Sequence, residues 1–205
     1  MNGKIQALNN AMREAIPHMR DAASGNPSAE LLLRVLKFSS GASWHVSTPV
    51  PIENFSWTDL AANGVTDMGR AFSMVAEQLR IPPMESRALP PVLALISDGQ
   101  PTDDYASGLD AIMAEQWGKR AVRVAIGIGA DADHHTLQKF IGNPEIPVLQ
   151  ADNLESLIQF IRWVSTAVVK TASAPTASTG GESIVMPPPP FPTSGVAGTD
   201  DLTVW

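Results

Sequence analysis

Two short runs, Val92–Ser97 (VLALIS) and Ala121–Ile128 (AVRVAIGI), most constrain what this chain can fold into. Each has the length of a strand and almost no polar punctuation. A strand with one wet face alternates apolar and polar residues, whereas a continuous apolar run marks a strand buried on both faces of a parallel sheet. Parallel neighbours need a crossover of a dozen or more residues, and Ala106–Trp117, which lies between the two runs, reads as a helix. The same alternation extends in both directions. Ile5, Leu8, Met12, Ala15, Ile16 and Met19 form one stripe of an amphipathic helix near the start. Glu30–Ser39 reads as a strand, with helix a competitor because of its leucines, and Trp44–Val50 as a shorter one ended by Pro49 and Pro51. A helix over Asp67–Leu79 follows, headed by Thr66, whose hydroxyl suits an N-cap. Asp133–Ile141 is a short helix and Val148–Gln150 a short strand. The last helix opens on Asp152-x-x-Glu155, a capping-box-like start, and turns Leu154, Leu157, Ile158, Ile161 and Val164 to one side. The expected architecture is α/β: a doubly wound, mostly parallel sheet with helices on both faces, using strands near 30–39, 92–97, 121–128 and 147–150.

At 205 residues there is room for one such domain with a proper core. A formal net charge of -7 argues against a nucleic-acid partner, which would call for a basic face. With no cysteine, the chain can have neither a disulfide framework nor a thiol nucleophile. The apolar runs are far shorter than the ~20 residues of a membrane-spanning helix. Residues 1–20 carry Lys4, Arg13, Glu14 and Arg20 among their apolar positions, unlike a secretory signal. The expectation is a cytoplasmic protein with no membrane partner.

Composition changes after Lys170. Residues 172–205 contain Pro187–Pro190, Gly180-Gly181 and many Ser, Thr and Ala, and are expected to form a disordered tail, with little packing beyond about residue 175. The sequence PPPPFP has two readings, a spacer or a polyproline-II ligand for an aromatic groove. Ser and Thr residues such as Ser173 and Thr176 are possible phosphorylation sites.

Parallel α/β sheets bind ligands at the carboxyl ends of their strands. Asp98 follows one apolar run directly, and Thr66 heads a helix at the same edge. A carboxylate and a hydroxyl there suit a hard cation such as Mg2+; the plainer reading is that Asp98 shapes a turn and Thr66 caps a helix. Asp103-Asp104 either extends that rim or forms a solvated acidic loop, and Trp57 lies close enough in sequence to be a partner contact. Trp44, Trp117 and Trp163 read as core. His134-His135 are adjacent helical positions that point apart, so they read as surface residues. A rival enzyme reading rests on Gly127-Ile128-Gly129-Ala130-Asp131-Ala132, which formally fits a dinucleotide-binding turn, with Asp152 some twenty residues on. Asp131 and Asp133 put negative charge where a pyrophosphate would sit, and little chain follows. No catalytic constellation is evident.

Several segments, taken together, resemble one family. The run Leu95-Ile96-Ser97-Asp98-Gly99-Gln100-Pro101-Thr102-Asp103 looks like the fourth-strand motif of von Willebrand A domains, and Gly64-Val65-Thr66-Asp67-Met68-Gly69 is similar to their metal-site threonine loop. Asn2-Gly3-Lys4-Ile5-x-Ala7-Leu8-Asn9 resembles the stretch after the family's Asp-x-Ser-x-Ser motif. Trp117–Arg120, Leu137–Gly142 and Phe160–Ser165 have close parallels in the bacterial TerY-like branch, named for tellurite-resistance operons. The resemblance covers roughly residues 1–171. It implies a non-catalytic protein-interaction module, cation-dependent through a metal site (the MIDAS) that takes Mg2+, with a Ser/Thr kinase and a phosphatase of a stress-response system as partners. One departure stands out: the first central strand and its Asp-x-Ser-x-Ser motif are missing, and Met1 stands about where that motif would end, as if translation began at an internal methionine. Of the family's side-chain ligands only Thr66 and Asp98 remain, so Mg2+ is expected to bind weakly or not at all.

Overall fold

The computed structural model describes residues 2–25, 30–62, 64–172 and 187–190. Three strands form the parallel sheet in the order β3 (Val92–Ser97), β4 (Val122–Ile128), β5 (Leu149–Ala151). The two long apolar runs pair residue for residue, from Val92 with Val122 to Ser97 with Gly127. In β4 the faces alternate: Val124 and Ile126 pack with α1 (Asn2–Ser24) and α6 (Leu154–Trp163), through Met12, Ile16, Leu157 and Ile161. Ala125 faces the other way, with Leu95, against α2 (Met68–Gln78), α3 (Tyr105–Ala114), α4 (Gln116–Arg120) and α5 (His134–Ile141). Phe72 and Phe140 stack there with ring centroids 5.2 Å apart. Helices thus cover both faces, as the apolar runs require.

The segment expected as a strand near 30–39 is one, but it is not part of the parallel sheet. β1 (Leu32–Ser39) pairs antiparallel with β2 (Gly41–Pro51), a tight reversal at Ser40-Gly41 in which Gly41 takes φ +86°. The two form a separate two-stranded sheet. Hairpin formation is local, so short connection length outweighs the parallel pairing inferred from alternation. Among the described residues, β1 has no partner besides β2, and β3 none besides β4. Burial reflects this: six of the seven residues of β4 are buried, while no residue of β1 is, and Ala94 in β3 is exposed.

Smaller corrections follow from local chemistry. The helix read over Ala106–Trp117 breaks at Glu115, whose extended backbone (ψ 144°) separates α3 from α4. The capping box of α6 uses Asn153 and Ser156 instead of Asp152 and Glu155: the Asn153 side chain accepts from the Ser156 amide, and the Ser156 hydroxyl accepts from the Asn153 amide. After Trp163 the helix widens into a π-helical turn over Val164–Val168 before Val169–Ala172. Most of the tail lies outside the described residues. Pro187–Pro190 have no regular structure, but Pro187, Pro189 and Pro190 are half-buried, more packed than expected.

The approach of α2 to α3 fixes the loops above the sheet. A Cβ at Gly69 would lie 2.3 Å from the Asp104 carbonyl oxygen, and one at Gly108 would lie 2.5 Å from that of Gly69. Neither backbone can yield without parting the helices. Gly108→Ala should therefore destabilise the domain by about 1–3 kcal/mol, read as a lower urea midpoint with an unchanged slope.

Candidate functional site at the sheet edge

Because the β3–β4 ladder closes at Ser97 and Gly127, one residue before β4 ends, the loops that follow rise from one rigid edge. Asp98 begins the first loop, with its side chain 16% exposed. Thr66 reaches the same place from the segment before α2: its hydroxyl oxygen is 3.5 Å from the position of a Cβ on Gly99, the residue after Asp98. The sequence-derived pair thus stands at one edge, as placed by the two motifs.

What holds Thr66 there is different from what its sequence suggested. Helix α2 starts at Met68, and Thr66 does not cap it. Thr66 and Thr102 clasp each other instead: the Thr66 amide donates to the Thr102 hydroxyl (3.0 Å), and the Thr102 amide donates to the Thr66 carbonyl (2.9 Å). The free amides at the start of α2 are met from outside the helix. Asp103 accepts from Gly69 N–H at 2.7 Å and from Arg70 N–H at 2.8 Å, so its carboxylate is a helix cap supplied by another loop and no part of an open rim. Asp104 caps α3 through Ser107, whose hydroxyl and amide hold its carboxyl below the usual carboxylate range. Asp67 ties in the hairpin, accepting from Gly41 N–H at 2.5 Å and donating its amide to the Ser39 carbonyl.

The counter-charge at the edge is a residue that sequence reasoning did not single out. Lys4, in the first turn of α1, places Nζ 3.8 Å from Asp98 Oδ2 and 3.6 Å from Asp131 Oδ2. Its side chain is only 14% exposed. A lysine at a helix N-terminus opposes the helix dipole, which was the available signal that it serves something outside its own helix. The remaining donors do not fit a divalent cation. The charge of Asp98 is already met by an ammonium, the Asp67 and Asp103 carboxylates nearby are taken by Thr102 and by the head of α2, and no group of three His, Cys, Asp or Glu residues among the described residues is arranged to hold a metal. A hard cation here would have to displace Lys4 from Asp98 and Asp131.

The other candidates have structural partners. Trp57 donates its indole N–H to Asn9 Oδ1 (3.1 Å), and Asn9 is buried. The turn after β4, the rival dinucleotide site, is filled by its own side chains: a Cβ on Gly127 would meet Ala132 at 2.9 Å and Gln150 Oε1 at 3.1 Å. Gln150 donates to the Gly129 carbonyl (2.8 Å), and its side-chain oxygen lies 2.6 Å from His134 Nε2. Asp133 takes the amides of His135 and Thr136 at the head of α5. Those are the donors a phosphate would use. His134 and His135 are exposed, as expected.

No family model matches the sequence, and neither does any curated protein. Solved structures do. The chain superposes on a von Willebrand factor type A protein from Catenulispora acidiphila with a TM-score of 0.57 at 17% identity, over 78% of this chain and 38% of that one. The fold is the von Willebrand A fold. Proximal thread matrix protein 1 from the mussel byssus, in a form with a zinc-occupied MIDAS motif, matches at 0.60 and 14% identity, over 84% of this chain and 43% of that one. The ArnB paralog VWA2 from Sulfolobus acidocaldarius matches at 0.50 and 16% identity, over 72% and 39%. This chain therefore spans about two fifths of the length of the von Willebrand A chains it matches. Among the described residues, no helix is long and apolar enough to cross a membrane.

The Asp133 cap gives the edge a measurable acid dependence. Its carboxyl is held below the ordinary range, chiefly by the Thr136 hydroxyl and then by the two amides. A depressed folded-state pKa stabilises at pH above the unfolded value near 3.9, and that stability is lost as pH falls through the folded value. Asp133→Ala should cost about 1 kcal/mol at neutral pH, and the difference from the parent should shrink in acid denaturation curves as pH falls below the unfolded value.

Proposed function

We propose that this chain is a non-catalytic protein-interaction module of the von Willebrand A type, acting in the cytoplasm, whose contact surface is the sheet edge carrying Thr66, Asp98 and Lys4. What supports this reading is the concentration of a hydroxyl, a carboxylate and an ammonium on loops fixed by a parallel sheet, with no nucleophile or acid–base pair beside them. The mussel protein's zinc-occupied MIDAS motif suggests that related sites take divalent cations. In this chain Lys4 supplies the positive charge to Asp98. Association is accordingly proposed to be independent of Mg2+, through the ion pair itself. The TerY-like motifs favour a Ser/Thr kinase and a phosphatase of a bacterial stress-response system, such as tellurite resistance, as partners.

Mg2+ titration tests the metal half of this reading. The chain should give no saturable heat, and Lys4→Ala should give weak binding that the added Asp98→Ala change abolishes. A version extended by a central strand with an Asp-x-Ser-x-Ser loop should bind Mg2+ more tightly than either, because it adds a carboxylate and two hydroxyls from one loop. Saturable binding by the unaltered chain that survives Asp98→Ala would remove Asp98 from the site. The partner half is tested with a purified Ser/Thr kinase of a TerY-type system: its affinity should fall on Asp98→Ala and be unchanged by EDTA.

A further inference from the structure

On the side of the molecule formed by α6 and the loop before β5, Trp163 lines a groove with Pro144, Ile146 and Pro147, and Pro187–Pro189 of the same chain line it from above. We propose that this groove is a polyproline-binding site, occupied in cis by the chain's own Pro187–Pro190. This inference is independent of the reading of the sheet edge.

The occupant's sequence preorganises it. Each proline ring fixes its own φ and restricts the residue before it, so four in succession are held near the polyproline-II conformation. Such a segment loses little entropy on docking, has no amide N–H to satisfy, and offers bare carbonyl oxygens around a three-residue turn. A receptor for it needs a flat apolar or aromatic wall.

The groove supplies that wall. Trp163 is 9% exposed, and its indole nitrogen is buried with no acceptor among the described residues. The opposite wall is rigid before any ligand arrives. Gln138 Nε2 donates to the carbonyls of Asn143 (3.0 Å) and Ile146 (3.2 Å). The Ile146 amide donates to the Asn143 carbonyl (3.2 Å), the Glu145 amide donates to Asn143 Oδ1 (2.9 Å), and Pro144 and Pro147 stiffen what lies between. Glu145 is the one charged residue in the lining, and the prolines above it are uncharged. The half-burial of Pro187, Pro189 and Pro190, set against the solvated spacer expected from composition, is the packing such docking requires. The run therefore acts as a latch: a proline-rich segment of another protein gains the groove only when the chain's own run leaves it.

The test uses the full-length chain with 15N-labelled tryptophans, the Trp163 indole signal being assigned by its loss in Trp163→Phe. Changing Pro187–Pro190 together to Ala should move the Trp163 indole signal as the proline rings beside it are lost, while the other tryptophans and the melting temperature stay put. A capped PPPPFP peptide added to that variant should restore the shift and bind saturably. It should bind the unaltered chain roughly tenfold more weakly, as a groove occupied about nine-tenths of the time requires, and should not bind Trp163→Phe. An unmoved Trp163 signal in the four-alanine variant, or equal peptide affinity with and without the native prolines, would overturn the proposal. Sedimentation showing a dimer that the four-alanine change dissociates would also overturn it, by making a second copy the occupant.

Discussion

The structure depends on one register. Parallel pairing of Val92–Ser97 with Val122–Gly127 brings the two strands to an end within one residue of each other, so the loops that follow share an edge. From that alignment come the nearness of Asp98 to Asp131 and the opportunity for Lys4 to meet both. Slipping a strand by one residue would turn Val124 and Ile126 to the face now served by Ala125, and exchange the two cores. The register is therefore held by apolar burial on both sides at once, and the polar arrangement above it is a consequence. Asp98, Asp103 and Asp104 stand within seven residues of one another and do three different things, because each meets a different neighbour: an ammonium, the head of α2 and the head of α3.

The second constraint is incomplete pairing. β1 and β3 each present one edge with no strand partner among the described residues. Their ends are nevertheless linked: Ser39 at the end of β1 and Thr102 beyond β3 both bond to the Thr66–Asp67 segment. Both strands also pack against the core beneath α1, through Val35 in the one and Ile96 in the other. The hairpin is thus fixed to the body of the domain by side chains and loop hydrogen bonds where a continuous sheet would use a ladder. Unsatisfied strand edges are a preferred place for another strand to add.

Ion pairing and metal binding are alternatives at the same carboxylate. A lysine brings a single charge on a tether and forms an ion pair without coordination geometry, whereas a hard cation needs several oxygens held together. With Asp98 and Asp131 both facing Lys4, the side chains at this edge match the first description. The mussel protein has a similar fold and a zinc-occupied MIDAS motif, and a fold by itself does not fix what a site on it binds.

The sequence alone determined the sheet's central pair, the helices that cover it and the position of Asp98, because continuous apolar runs and 3.6-residue stripes are local signals of burial. The resemblance of its loop led us to expect Thr66 at the same edge; the structure has its hydroxyl near Gly99, without the capping bond its sequence suggested. Only the tertiary structure decided that Glu30–Ser39 joins a hairpin, that Asp103 caps a helix 34 residues away in sequence, and that Lys4 faces Asp98 across 94 residues. It likewise set the proline run against Trp163. Each of these is a contact between segments whose separate compositions carry no mark of the partner. Which donor meets which acceptor is settled by the packing of the whole chain, and local propensity does not encode it.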